Sequence, residues 1–223
     1  MTRTLTIFAA LACLALGGWV LTSQSQSPVD PLGAAFAQDA ADVDTSMVQD
    51  MSLGNPDAAV TVIEYASFTC PHCASFHTST FKQLKADYID TGKINFIYRD
   101  VYFDRYGLWA AIVARCGEGA ENRFFGIADM IYGKQREWAS SSNSPQQIVD
   151  QLRTIGKTAG LTDAQLDTCF SDGDNAQALY AFYLKNAEAD GINSTPSFVI
   201  DGRKYSNMSY DEMKDVIDAA LGS

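Results

Sequence analysis

The chain has 223 residues, and 47% of them are hydrophobic, which is enough for one domain, or at most two small ones, with an ample core. Its formal net charge at pH 7 is -11. No run of Lys and Arg is dense enough to neutralise phosphate groups, so the sequence argues against a protein that binds nucleic acid or anionic lipid.

The first 37 residues are predicted to be a secretory leader. The segment from Leu5 to Leu21, LTIFAALACLALGGWVL, is almost continuously apolar, and Arg3 is the only charge before Asp30. The small residues of Ala35-Phe36-Ala37 fit a cleavage site, with cleavage after Ala37. Alternatively, the apolar stretch of about 17 residues remains as an inner-membrane anchor. Either way, the body of the protein is expected to face an exported, oxidising compartment, the periplasm.

The exported body is predicted to begin with a flexible segment, residues 38–50, followed by a strand. Residues Ala59 to Tyr65, AVTVIEY, are β-branched and apolar, as in a buried central strand that Glu64 interrupts. The motif SFTCPHC comes next. After it, four apolar residues have helical spacing: Phe76, Phe81, Leu84 and Tyr88. The two cysteines of the motif are therefore expected where a strand turns into a helix.

Residues Lys93 to Arg99 alternate as a second strand, which predicts a parallel pair with a right-handed crossover. From about Arg105 to Asp190 the pattern is helical. Two helices are predicted to begin with capping boxes, formed by Ser144 with Gln147 and by Thr162 with Gln165. Two helices are predicted to end at glycines, Gly160 and Gly191.

The chain then returns to strand. Asp201-Gly202 between Ser197–Ile200 and Arg203–Tyr205 predicts a hairpin, and Tyr210 to Leu221 predicts a closing helix. The sequence thus predicts a small mixed sheet with a helical block inserted between its halves.

Four of the five cysteines remain after the leader is removed, which allows three pairings. The local pairing is favoured. Cys70 and Cys73 are so close in sequence that they are expected to bond to each other and not to distant cysteines. It predicts one reactive disulfide, Cys70–Cys73, and one structural disulfide, Cys116–Cys169.

A helix start suits a reactive cysteine, because the first N–H groups and the helix dipole stabilise a thiolate. Pro71 fits the first turn, since it has no N–H to leave unbonded. His72 is expected to stabilise the Cys70 thiolate further, by its charge or by a hydrogen bond. Cys70 is then predicted to be the exposed attacking sulfur and Cys73, one turn into the helix, the more buried resolving sulfur.

Together, the CPHC motif at residues 70–73, Glu64 six residues before it, the helical insertion and GINSTPSFVIDG at residues 191–202 resemble the DsbA-like branch of the thioredoxin superfamily. The resemblance extends from Met51 to Leu221. It implies an α/β thioredoxin-like fold, a central mixed β-sheet flanked by helices, formed by residues 51–104 and 191–223. Residues 105–190 would form an inserted all-helical domain.

The resemblance also implies roles for single residues. Pro196 corresponds to the cis-proline of the family, which with Thr195 faces the cysteine pair and offers backbone groups to a substrate peptide. Glu64 corresponds to the buried acid beneath the disulfide, a proton relay for the resolving thiol. A carboxyl buried without a partner would favour its protonated form. The alternative for Glu64 is a solvated carboxylate on an edge strand.

The implied activity is an exported dithiol oxidase that introduces disulfides into reduced exported proteins. It would work as a monomer without a bound cofactor, and a quinone-linked membrane protein would reoxidise it. A reductase or isomerase on the same fold is the closest alternative. The alternative from another class is a metal-binding module that uses Cys70, Cys73 and His77. We expect that the protein binds no metal and that His77 is an ordinary helix residue.

Overall fold

The computed structural model describes residues 42–222. The predicted leader lies outside the described residues, as does the beginning of the segment predicted to be flexible. Five strands form one sheet: β1 (Met51–Gly54), β2 (Val60–Ala66), β3 (Ile94–Asp100), β4 (Ser197–Ile200) and β5 (Arg203–Ser206).

The sheet has the order β1-β3-β2-β4-β5, so β2 lies at its centre. Strands β2 and β3 run parallel, with Val60 opposite Ile94, which confirms the predicted β-α-β connection. The other neighbours pair antiparallel. Side chains of β3 alternate between buried and half-buried, the pattern of a strand whose two faces differ.

Along the chain, helices come between β2 and β3, between β3 and β4, and after β5. Between β2 and β3 are α1 (Pro71–Thr78), α2 (Thr80–Leu84) and a π-helical turn (Lys85–Ile89), and after β5 comes α9 (Tyr210–Leu221). Six helices lie between β3 and β4: α3 (Arg105–Ala114), α4 (Ala120–Gly133), α5 (Gln135–Trp138), α6 (Pro145–Thr158), α7 (Asp163–Ser171) and α8 (Gly173–Ala189). The predicted mixed sheet with a helical insertion is therefore confirmed.

Short sequence patterns predicted several ends of helices and strands correctly. Ser144 and Thr162 each form the predicted capping box, α6 and α7 begin directly after them, and Ser209 forms a third box before α9. Gly160 and Gly191 both have positive φ after helices, as expected for helix stops. The β4–β5 turn places Asp201 and Gly202 at φ 48° and 75°, values that suit this dipeptide in a tight hairpin.

The helix predicted after the cysteines is interrupted. It breaks at Ser79, where the hydroxyls of Thr78 and Ser79 bond to carbonyls one turn back, those of Ala74 and Ser75. Such back-bonds compete with the helical ladder and bend helices. The apolar residues on which the prediction rested are nevertheless all buried.

Strand β1 has no counterpart in the sequence prediction. It is short, and its register depends on antiparallel pairing with β3, from Met51 opposite Tyr98 to Gly54 opposite Asn95. Gly54 has φ 94°, and a Cβ built there would lie 2.4 Å from the carbonyl oxygen of Ile94. The end of this edge strand therefore requires glycine.

The core is continuous between the sheet and the helical insertion. The Phe68 ring lies 5.6 Å from that of Tyr98, and the Tyr98 ring lies 5.1 Å from that of Phe124 in α4. Beside this core, Asp100 of β3 forms a buried ion pair with Arg115, which follows α3. The residues that the structure describes include no helix long and apolar enough to span a membrane.

Candidate active site

Both cysteines of the CPHC motif lie at the start of α1. Cys70 is the N-cap residue with extended backbone, Pro71 is the first helical residue, and Cys73 lies within the first turn. Both cysteines carry free thiols. Cys70 retains 8% of its surface and Cys73 none, so the predicted order of accessibility is right. The prediction that Cys70 is exposed is wrong, because the surrounding loops cover most of it.

The thiol of Cys70 ionises readily. The hydrogen bond with the Cys73 thiol is the largest cause that lowers the pKa of Cys70, from its ordinary 9.0 to about 5, and burial opposes it. The Thr195 side chain and the backbone N–H groups of Cys73 and His72 lower this pKa further. At neutral pH Cys70 is therefore a thiolate, the form that attacks and leaves in disulfide exchange.

The thiol of Cys73 behaves in the opposite way. Burial raises the pKa of Cys73 far above its ordinary value, and the Cys70 hydrogen bond and the negative charge of Glu64 raise it further. Cys73 therefore keeps its proton at neutral pH and donates to the Cys70 sulfur. One sulfur of the pair is thus charged and the other neutral, because the two differ in burial and in hydrogen bonding.

The loop before β4 faces Cys70 from the opposite side of the site. The Thr195–Pro196 peptide bond is cis. The carbonyl oxygen of Thr195 lies 3.5 Å from the Cys70 sulfur and accepts a hydrogen bond from it when the thiol is protonated. The Thr195 hydroxyl is buried beside the same sulfur, and its hydrogen bond lowers the pKa of Cys70. Thr195 thus presents both a carbonyl and a hydroxyl to the reactive sulfur.

Glu64 is fully buried on the central strand β2, so the alternative of a solvated carboxylate is wrong. The expectation of a carboxyl without a partner is also wrong. The Nε2 atom of His77 lies 2.9 Å and 3.1 Å from the two carboxylate oxygens of Glu64. His77, expected to be an ordinary helix residue, is therefore a partner of Glu64. Its position four residues after Cys73, one helical turn on, was the signal that could have linked it to the site.

Two further residues that sequence reasoning missed hold the loop between β2 and α1. Gln135 is buried, and its Nε2 atom donates to the carbonyl oxygens of Phe68 at 2.8 Å and Cys70 at 2.9 Å. Asp104 caps α3 and accepts a hydrogen bond from the Thr69 hydroxyl at 2.8 Å. Both residues anchor the cysteine loop to the helical insertion, and no local sequence pattern signals such contacts.

Pro71 and His72 lie on the exposed rim of the site. Beside α1 a groove of about 760 Å³ separates Pro71 and Thr78 from Lys134 and Arg136 of the helical insertion. The described residues contain no cluster of three or more His, Cys, Asp or Glu side chains placed to hold a metal ion. Backbone groups and the Thr195 hydroxyl surround the Cys70 sulfur.

Comparison with known proteins agrees with this geometry. Residues 46–219 match the thioredoxin family. The chain belongs to the thioredoxin family. A relative from Rickettsia bellii, provisionally named a protein-disulfide oxidoreductase, is 36% identical over 172 residues that cover 77% of this chain. The match covers 64% of the relative, so the chain spans less than two thirds of its length.

Solved structures place this thioredoxin-family protein in the DsbA-like branch. The crystal structure of alpha-DsbA1 from Wolbachia pipientis matches with a TM-score of 0.70 and 28% identity, covering 78% of this chain and 92% of that one. Oxidised BdbD from Bacillus subtilis matches with a TM-score of 0.66 and 22% identity, covering 78% of this chain and 94% of that one. At 22% identity, the match with BdbD shows a similarity of fold alone.

The DsbA-like fold brings together residues that are far apart in sequence. The Cys70 sulfur contacts the Thr195 carbonyl, and the charge of Glu64 helps to raise the pKa of Cys73. The His72 side chain is exposed, and the backbone N–H of His72 helps to lower the pKa of Cys70. Cys116 and Cys169 form a separate disulfide with a Cα–Cα distance of 5.8 Å.

The Cys70 thiolate should make the stability of the reduced protein depend on pH. Because the pKa of Cys70 falls from 9.0 when unfolded to about 5 when folded, its contribution is complete above pH 9 and is lost as the pH falls through about 5. We expect the melting temperature of the reduced protein, relative to its Cys70→Ser variant, to rise between these values. Thiolate absorbance at 240 nm should titrate near pH 5, and a midpoint near 9 would contradict the assignment.

Proposed function

We propose that this chain is an exported thiol:disulfide oxidoreductase that acts mainly as a dithiol oxidase through its CPHC motif. The observation that carries the proposal is the opposite behaviour of the two sulfurs, a stabilised thiolate at Cys70 and a protonated thiol at Cys73. Stabilising the thiolate stabilises the reduced enzyme. The disulfide is then the less stable form and tends to pass to other proteins.

The reaction takes place in two exchange steps. A substrate thiolate attacks the Cys70 sulfur of the oxidised pair, forms a mixed disulfide and releases Cys73 as a thiolate that takes up a proton. A second substrate thiolate then attacks the substrate sulfur of the mixed disulfide. The substrate leaves with a disulfide, and Cys70 leaves as the stabilised thiolate. Two electrons pass from the substrate to the enzyme.

The surroundings of Cys70 suit an extended polypeptide substrate. Thr195 and Pro196 lie at the entrance to β4, and we assign them to binding the substrate backbone beside the reacting sulfur. The substrates would be reduced exported proteins, with the enzyme a periplasmic monomer that needs no bound cofactor. A quinone-linked membrane protein would return the enzyme to its disulfide form.

The reduction potential of the Cys70–Cys73 pair tests the proposal. We expect a value well above the roughly -270 mV of thioredoxin, because thiolate formation favours the reduced form. The measurement is equilibration with a glutathione buffer, followed by alkylation and mass analysis. A Cys116→Ala/Cys169→Ala variant serves as the control, since it confines the redox change to the active-site pair. A potential near that of thioredoxin would contradict the oxidase and favour a reductase.

The metal-binding alternative predicts a different result. It needs His77 as a ligand beside the two cysteines, whereas Nε2 of His77 is bonded to Glu64. Metal analysis of the reduced protein separates the two functions. Stoichiometric zinc or copper that disappears in Cys70→Ser would support the metal module and count against the oxidase.

A further inference from the structure

A groove beside the cysteine motif has no role in the exchange steps described above. It has a volume of about 760 Å³ and begins at Thr69 and Pro71, the residues on either side of Cys70 in sequence. One wall is a face of α1, and the other is formed by the end of α4 and by α5 in the helical insertion. A polypeptide bonded to Cys70 through its own cysteine would therefore have its neighbouring residues at the mouth of this groove.

The charges of the groove lie on the wall formed by the helical insertion. Lys134 and Arg136 both line this wall and are exposed, and Glu137 is the only anion among the described residues of the groove. In the part of the chain that the structure describes, neither cation forms an ion pair. Two cations against one anion leave the wall positive on a protein whose formal net charge is -11. Such a wall attracts carboxylates and repels cations.

Gln135 fixes the position of this wall relative to the reactive sulfur. It lies between the two cations in sequence, and its buried side chain donates to the carbonyl oxygens of Phe68 and Cys70. Three residues later, the buried Trp138 donates through Nε1 to a carbonyl oxygen of α4 at 2.8 Å. The segment that carries the two cations is thus bonded both to the cysteine loop and to its own helical layer. A binding subsite requires such a fixed geometry.

The α1 wall of the groove contributes shape but no charge. The hydroxyls of Ser75 and Thr78 donate to the carbonyl oxygens of Pro71 and Ala74 in the same helix, at 3.1 Å and 2.7 Å. Their protons are therefore used within the helix. The charge of a carboxylate in the groove would be matched by the wall of the insertion alone.

We propose that this groove is a specificity subsite for acidic residues next to the reacting cysteine of the substrate, and that Lys134 and Arg136 recognise them. This inference rests on the proposed function, because it names the substrates that the Cys70–Cys73 pair prefers. The subsite contributes binding and takes no part in the exchange of sulfur bonds. Reduced exported proteins with Asp or Glu near a cysteine react faster than those with neutral neighbours, because opposite charges speed association.

The experiment compares two dithiol peptides, one with aspartates on both sides of the reacting cysteine and one with asparagines there. Each reduced peptide is mixed with the oxidised protein, and acid quenching with alkylation gives the second-order rate constant of oxidation. Reaction with hydroxyethyl disulfide, which is uncharged, corrects for the effect of aspartate on the thiol itself. We expect the aspartate peptide to react about 5-fold faster, a modest ratio because each exposed ion pair contributes little. The ratio should fall toward 1 at about 0.5 M salt, where charges are screened.

Substitutions in the groove test which residues cause the preference. Lys134→Gln/Arg136→Gln should bring the ratio of the two rate constants close to 1. Because each ratio is measured on one protein, a change in folding or in the Cys70 sulfur affects both rate constants alike. Glu137→Gln is the matched variant within the groove and should raise the ratio, since it removes the opposing charge. Lys185→Gln removes an exposed charge outside the groove and should leave the ratio unchanged.

Several outcomes would overturn the inference and leave the proposed function standing. They are equal rates for the two peptides, a preference for aspartate that salt does not reduce, and a preference that survives Lys134→Gln/Arg136→Gln. A dimer that dissociates in this variant during sedimentation would assign the groove to a second copy of the chain and would overturn it too. The salt dependence is measured on the unsubstituted protein and so does not depend on the folding of any variant. A protein that oxidises neither peptide contradicts the proposed function and the inference with it.

Discussion

Replacing Cys70 by serine is expected to abolish dithiol oxidation, a fall of about 10³-fold or more, because the attacked sulfur and the leaving thiolate are both lost. Replacing Cys73 by serine should also stop turnover, but with a different product. The reduced Cys73→Ser protein still has its Cys70 thiolate, which attacks a disulfide-containing peptide. Without a resolving thiol the peptide remains attached as a mixed disulfide.

The two substitutions are matched, since each exchanges one sulfur for one oxygen, and the structure predicts unequal trapping. Cys70 retains 8% of its surface and has a pKa of about 5, whereas Cys73 has no accessible surface and a strongly raised pKa. Mass analysis after incubation with an oxidised peptide should therefore show the adduct on Cys73→Ser and almost none on Cys70→Ser. Equal trapping by both variants would contradict the assignment of attacking and resolving sulfurs.

The parts of the fold that could be predicted from sequence are those with local causes. The apolar alternation of β3, the capping boxes at Ser144 and Thr162 and the turn at Asp201-Gly202 each act within a few residues, so short patterns reveal them. The position of the cysteines between a strand and a helix could be predicted in the same way, because a strand pattern ends just before them and a helix pattern begins just after.

The features that sequence missed depend on contacts between distant segments. Gln135 reaches the carbonyl of Phe68 across 67 positions of sequence, and strand β1 exists through its pairing with β3. Glu64 and His77 are 13 residues apart, on a strand and on the helix that packs over it. Whether a buried carboxyl meets a partner is decided by that packing, which a pattern of hydrophobic residues does not specify.

Removing the second disulfide should separate stability from activity. The Cys116–Cys169 bridge joins the residue after Arg115 to α7 and closes a loop of 53 residues. Its loss in Cys116→Ala/Cys169→Ala restores freedom to the unfolded chain and is expected to lower the free energy of unfolding by ~4 kcal/mol on the entropic model. Urea unfolding with the active-site pair oxidised in both proteins measures the loss.

A Cys70→Ser/Cys73→Ser variant gives the opposite result and is the control. The Cys70–Cys73 bridge spans only two intervening residues, so it restricts the unfolded chain far less than the long loop does. This variant should keep most of the stability and none of the activity, while Cys116→Ala/Cys169→Ala should oxidise dithiols at the original rate at a temperature where it remains folded. If the long-loop variant lost less than about 1 kcal/mol, residual structure in the unfolded chain would have to replace the constraint of the bridge. If instead it lost activity while folded, the bridge would have to influence Cys70 through α3, whose cap Asp104 holds Thr69 beside the reactive sulfur.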